Sequence, residues 1–134
     1  MYILAPLSVR PDAAGPALLV GLGILAAFAL VIIFLVEALI LWRLGWANFW
    51  RSLAGALVAN IASSAVGLIF VLFWRPPTLT LFLALSFVAS VVVEAGILML
   101  FKRDAVAENW RASLIINVVS YVLVGLLMAL AGAP

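Results

Sequence analysis

Two glutamates and two asparagines are the residues best placed to do chemistry in this sequence, because they interrupt otherwise apolar stretches. Glu37 and Glu94 are the only acids within four long apolar runs, and Asn60 and Asn117 are the only asparagines. An ionisable side chain in a membrane span is costly and needs a partner or a function. One interpretation is a structural clamp, in which an Asn amide donates to a carboxyl oxygen. The other is a proton or cation site.

The four residues belong to an apparent internal duplication. When the second half of the chain is aligned on the first, VEALIL at 36–41 lies over VEAGIL at 93–98, Asn60 over Asn117, and Ser63 over Ser120. The interval from glutamate to asparagine is therefore the same in both copies. Two spans per copy give both copies the same orientation, as in parallel-repeat membrane proteins. We therefore predict contacts between Glu37 and Asn60 and between Glu94 and Asn117.

The elements that must position these side chains are membrane helices. Of the 134 residues, 69% are hydrophobic and 9% charged, whereas soluble domains have about 45–50% apolar and about 25% charged residues. Each apolar run is long enough to cross a hydrocarbon core of about 30 Å. The prediction is an all-α polytopic membrane protein, with four transmembrane helices built as two tandem parallel-repeat hairpins. An extended arm at 1–16 precedes the hairpins at 17–74 (spans 17–42 and 52–73) and 78–134 (spans 79–101 and 112–131).

Tryptophan and basic residues mark the ends of these spans. All five indoles fall at span ends or in connections, as expected of interfacial anchors: Trp42, Trp46, Trp50, Trp74 and Trp110. The connections at 43–51 and 102–111 hold five of the seven cations: Arg43, Arg51, Lys102, Arg103 and Arg111. The positive-inside rule predicts that both connections are cytoplasmic and both termini outside, in an inner (cytoplasmic) membrane of bacterial type. These cations set topology and meet anionic headgroups, or dock an acidic partner; Arg51 or Arg111 could also pair with Glu37.

Small and hydroxyl residues form stripes on three helices. Members of these stripes are Gly55, Ala59, Asn60, Ser63 and Gly67; Ser86, Ser90 and Glu94; and Ser113, Asn117, Ser120 and Tyr121. Such stripes let helices approach closely and hydrogen-bond, which predicts packing faces. The alternative is that the stripes line a polar pathway.

Composition excludes several kinds of chemistry. The sequence has no Cys and no His, which removes thiolate nucleophiles, iron–sulfur ligation and the usual zinc sites. It also has no phosphate-binding Gly-rich motif and no basic nucleic-acid module. We therefore predict no enzyme, no cofactor, no metal and no nucleic-acid partner. Glu and Asn oxygens could in principle ligate a hard cation such as magnesium, which leaves pigment or quinone contact as a third, weaker alternative.

The first functional hypothesis is a non-catalytic structural, accessory or assembly subunit of a larger membrane complex, such as a respiratory or photosynthetic one. Its partners would be lipids and other transmembrane subunits, in a hetero- or homo-oligomer. The second hypothesis is a small proton- or cation-coupled transporter or channel that uses Glu37 and Glu94.

Overall fold

The computed structural model describes residues 14–74 and 78–130, and this part of the chain is all-α, as predicted. It contains four helices: α1 (Ala14–Arg43), α2 (Phe49–Phe73), α3 (Leu79–Phe101) and α4 (Val106–Leu130). Each helix overlaps one predicted apolar run, and α3 has the predicted bounds. Most of the predicted arm (residues 1–13), the prolines of the second turn (Pro76 and Pro77) and residues 131–134 lie outside the described residues.

Three of these helices are long and apolar enough to cross a membrane. They are α2, α3 and the Val106–Leu127 part of α4, with 25, 23 and 22 residues. At about 1.5 Å per residue, even the shortest rises about 33 Å, more than a hydrocarbon core of about 30 Å. The chain is therefore compatible with a membrane protein. That α1 also spans the membrane remains a prediction.

The chain divides into two compact units, one ending at Leu30 and one beginning at Val31. In the first unit, the described backbone is the α-helical course from Ala14 to Leu30. The second unit contains the rest of α1 together with α2, α3 and α4. All contacts below lie within the second unit.

A glycine-dependent turn ends α1. Gly45 has φ = 72°, a left-handed conformation that suits glycine. The Gly45 amide donates to the Trp42 carbonyl and the Trp46 amide to the Leu41 carbonyl, both at 3.0 Å. This is the Schellman pattern of helix termination, in which the residue after the glycine packs back onto the last turns. Accordingly, Trp46 and Leu41 are both buried in the same core cluster.

Side-chain caps set the starts of α2 and α3. Asn48 Oδ1 accepts from the Arg51 amide at 2.9 Å, and Thr78 Oγ1 accepts from the Leu81 amide at 3.2 Å. Such caps satisfy amides that lack a partner in the first helical turn. Three helices begin earlier than the apolar runs, α1 at Ala14 instead of 17, α2 at Phe49 instead of 52 and α4 at Val106 instead of 112. Hydropathy identifies the apolar part of each helix, whereas these helices also include the residues that precede this part.

The two ends of the second unit differ in how far their residues are buried. At the packed end, which includes the α1–α2 and α3–α4 connections, the core contains Trp46, Ala56, Ala59, Leu98 and Ile116. At the open end, the described residues are all exposed or half-buried over 60–74, 78–93, 121–127 and 129. The glutamates and asparagines lie where the packed end meets the open end.

Candidate functional site

Both predicted glutamate–asparagine contacts are present. Asn60 Nδ2 donates to Glu37 Oε2, and Asn117 Nδ2 donates to Glu94 Oε2 at 2.6 Å. Each amide also donates to the carbonyl one turn earlier on its own helix, Ala56 O at 2.9 Å and Ser113 O at 3.0 Å. The second bond fixes the amide orientation, so that the donor faces the carboxylate.

Serines from the opposite helix pair complete the cluster. Ser120 Oγ on α4 donates to Glu37 Oε1 on α1. The Ser63 hydroxyl on α2 donates to the Asn60 carbonyl at 3.3 Å and lies near the Glu94 carboxyl group on α3. Each carboxylate thus accepts from an asparagine of its own helix pair and has a serine of the other pair beside it. We call these six residues the carboxylate–amide cluster: Glu37, Asn60, Ser63, Glu94, Asn117 and Ser120.

The two carboxyl groups of the cluster are buried, and no cation of the described residues forms an ion pair with them. Glu37 and Glu94 are only 1% and 2% exposed. The ion pair observed in the described residues joins Lys102 to Glu108. Arg51 does not reach Glu37 but donates to the Phe101 carbonyl, and Arg111 is exposed to solvent. The carboxylates are therefore satisfied by neutral donors.

Close packing surrounds the cluster on the side of the connections. Ala38, Ala59 and Ala95 are at most 1% exposed, so the helices approach with little side chain between them. Ser113 Oγ donates to the Val91 carbonyl at 2.8 Å and ties α4 to α3. Within the described residues, every buried side-chain nitrogen or oxygen has a partner.

A second polar network joins the two connections, and its central residue was not predicted. Asn109 is fully buried; its Oδ1 accepts from Trp46 Nε1 and its Nδ2 donates to the Lys102 carbonyl, both at 2.7 Å. Lys102 Nζ donates to the Trp46 carbonyl at 3.1 Å, which closes the ring. The sequence carried a signal, because Asn109 precedes Ser113 and Asn117 at four-residue spacing on one helix face.

The position of Trp46 corrects its assignment as an interfacial anchor. Its indole is 2% exposed and packs against Gly55 and Leu98. The turn at Gly45 directs the ring into the protein, where Asn109 satisfies its N–H. The other four indoles are 36–75% exposed, at Trp42, Trp50, Trp74 and Trp110, and Arg43 lies over the Trp42 ring at 5.4 Å. Their role as interfacial anchors remains a prediction.

A cleft of about 290 Å³ opens next to the cluster at the open end. It lies between α2, α3 and α4, and its lining combines hydroxyls and a glycine with aromatic rings and apolar side chains. Its polar and small lining includes Ser63, Ser64, Gly67, Ser86, Ser90 and Tyr121. Tyr121 lies in the same lining as Ser90 and makes an edge-on contact with Phe87, with 5.2 Å between the ring centroids. Of the predicted packing stripe, Ser113 and Ser120 are buried, whereas Ser63, Ser86 and Ser90 line this cleft.

The chemistry available to the cluster is that of two carboxyls, two amides and two hydroxyls. In the described residues, three or more His, Cys, Asp or Glu side chains do not come together as metal ligands would. The arrangement can hold helices together, and a carboxyl can also exchange a proton or bind a small cation. Comparisons with family models, with characterised proteins and with solved structures find no match to this chain.

Proposed function

We propose that the chain is a non-catalytic integral membrane subunit with a structural or accessory role in a larger membrane complex. It consists of two tandem hairpins inserted in the same direction, with the connections at 43–51 and 102–111 in the cytoplasm and both termini outside. The supporting observations are the reciprocal contacts of the carboxylate–amide cluster and the open cleft beside it.

The reciprocal contacts support the tandem repeat. The alignment that relates Glu37 to Glu94 also relates Asn60 to Asn117 and Ser63 to Ser120. Each glutamate accepts from the asparagine of its own hairpin and lies beside the serine of the other, and the hydroxyl of Ser120 donates to Glu37. Two copies related by an approximate two-fold axis produce this exchange of partners, since each contact then implies its counterpart.

The single observation that carries the proposed role is the difference between the two ends. At the packed end, the polar groups satisfy one another and leave no buried donor or acceptor of the described residues free for a substrate. At the open end, small and hydroxyl residues of α2 and α3, such as Gly67 and Ser86, face a cleft instead of a neighbouring helix. Side chains of this kind are the usual contact surface for another transmembrane helix.

Photo-crosslinking in native membranes tests this role. A photoreactive phenylalanine is placed at Gly67 or Ser86 in the cleft, with matched controls at Leu68 and Leu83, which lie at similar depth and are 58% and 47% exposed. The cleft positions should give one discrete crosslinked protein and the control positions only diffuse products. Equal patterns at all four positions, or no protein adduct at any of them, would reject the proposal.

A proton- or cation-coupled transporter is a second candidate, favoured by the continuity between the cleft and the carboxylates. Ser63 belongs to both, and Ser90 and Tyr121 add hydroxyls along the cleft. An ion entering from the open end would meet hydroxyl oxygens before Glu94. At the opposite side, the buried layer around Ala56 and Leu98 closes the route, so that transport requires a rearrangement of the packed end.

Flux measurements in liposomes decide this second candidate. Purified protein is reconstituted, and proton and sodium uptake are followed for the parent chain and for Glu94→Gln, Glu37→Gln and the control Glu108→Gln, an acid outside the cluster. Transport predicts flux in the parent and in Glu108→Gln, and its loss in the two cluster variants. No flux in the parent, or flux unaffected by either cluster substitution, excludes transport by these acids.

A further inference from the structure

A basic cavity lies at the packed end, outside the carboxylate–amide cluster. Its volume is about 700 Å³, and it lies where α2 begins and α3 ends. Three cations and one carboxylate contribute to its lining, together with the last apolar residues of α3: Arg51, Lys102, Arg103, Asp104, Leu100 and Phe101. Charged and apolar side chains therefore line the same cavity at the end of the apolar helix α3.

The two arginines are the cations best able to bind a ligand here. Lys102 Nζ is held by Glu108 at 2.7 Å and by the Trp46 carbonyl at 3.1 Å, so that its charge is locally balanced. Arg51 uses one guanidinium nitrogen on the Phe101 carbonyl, which holds the side chain against the cavity while its other donors remain. Arg103 is exposed at the rim. A guanidinium fork matches the oxygens of a phosphate group.

The apolar residues of the cavity lining indicate what kind of phosphate-bearing molecule would fit. Leu100 is 65% exposed on the last turn of α3, and Trp50, next to Arg51, is 75% exposed. A free phosphate would gain nothing from such a wall, whereas an acyl chain would lie along it. Basic pockets next to membrane helices on the cytoplasmic side are typical sites for anionic lipid headgroups.

We propose that this cavity binds one anionic phospholipid, with its phosphate between Arg51 and Arg103 and an acyl chain beside Leu100. The alignment of the two copies places Glu108 at the position of Arg51 and Trp46 at that of Arg103. The equivalent place in the other copy, where α4 begins and α1 ends, therefore lacks both arginines, and one lipid is expected per chain. The proposal requires that the packed end lies at a membrane surface, but not that the cleft binds a partner.

Native mass spectrometry of the delipidated full chain tests this site. Phosphatidylglycerol, phosphatidylcholine and soluble glycerol phosphate are added separately to the parent and to Arg51→Gln, Arg103→Gln and Arg43→Gln. The last variant removes a cation of the 43–51 connection that does not line the cavity. The parent should retain one phosphatidylglycerol in preference to phosphatidylcholine, and each cavity variant should bind it about fivefold more weakly, as expected for one cation near a lipid surface.

Several results would overturn the proposal. Equal retention of the two lipids would show that headgroup charge is not recognised, and an equal loss in Arg43→Gln would indicate general surface attraction. Tight binding of glycerol phosphate without a chain would identify a free phosphate site instead of a lipid site. If Arg51→Gln does not fold because the Phe101 contact is lost, Arg103→Gln alone decides the question, since Arg103 is exposed at the rim.

Discussion

The packed end and the open end of the second unit contain similar small residues but differ in how their helices meet. On α2, Gly55, Ala56 and Ala59 are buried at the packed end, whereas Ser63 and Gly67 are only half-buried at the open end. Small residues permit close approach of helices at both ends. The packed end adds a buried indole, and side-chain amides there donate hydrogen bonds to carboxylates and to backbone carbonyls. The comparison teaches that small residues allow packing, while specific polar and aromatic contacts decide where it occurs.

Removal of the Trp46 ring should have the largest effect on this difference. Trp46→Ala leaves a cavity against Gly55 and Leu98 and leaves Asn109 without the indole donor. Truncation of a buried Trp costs about 3–5 kcal/mol of unfolding free energy. Thermal unfolding in a fixed detergent measures the loss, and Trp50→Ala, which removes an indole that is 75% exposed, is the control. Similar unfolding temperatures for both variants would contradict the buried role of Trp46.

Loss of one amide of the cluster should have a smaller but clear effect. Asn117→Ala removes the donor to Glu94 Oε2 and leaves a buried carboxylate with fewer partners, which costs about 1–2 kcal/mol. Ser86→Ala, in the cleft of the open end, should change unfolding free energy by less than about 0.5 kcal/mol. A double-mutant cycle with Glu94→Gln measures the coupling of the pair. Additive effects would show that the two side chains act independently.

Two glycines on the same helix offer the most direct comparison of the ends. A Cβ at Gly55 would lie 3.2 Å from two atoms of the Trp46 ring, whereas a Cβ at Gly67 would meet nothing within 4 Å. Gly55→Ala should therefore destabilise the chain by about 1 kcal/mol through overpacking. Gly67→Ala should leave stability unchanged or raise it by up to about 1 kcal/mol, because alanine favours the helix. If both substitutions lowered, or both raised, the free energy of unfolding, the proposed difference in packing between the two ends would be contradicted.

The sequence predicted the chemistry of the cluster better than its surroundings. Glu37 and Glu94 stood out because they are ionisable residues within apolar runs. The equal interval from each glutamate to an asparagine then predicted the pairs Glu37–Asn60 and Glu94–Asn117. The hydrogen bond from Ser120 on α4 to Glu37 on α1 could not be predicted, because it depends on how the two helix pairs pack. The prediction for Trp46 is wrong because hydropathy does not report the turn at Gly45 that directs its ring inward.

The smallest expected effect concerns the ion pair between Lys102 and Glu108 at the packed end. Its loss can be compared with the loss of a buried, uncharged hydrogen bond nearby, which shows whether charge or burial matters more there. Lys102 and Glu108 are 36% and 43% exposed, and water screens such a pair, so Glu108→Gln should cost only about 0.2–1 kcal/mol. This cost should shrink as salt is raised, since exposed charges are screened. Asn109→Ala is the matched comparison, because Asn109 also bonds to Lys102 but is fully buried and neutral. Its larger cost should not depend on salt. If both costs fell equally with ionic strength, electrostatic attraction rather than buried hydrogen bonding would hold the two connections together.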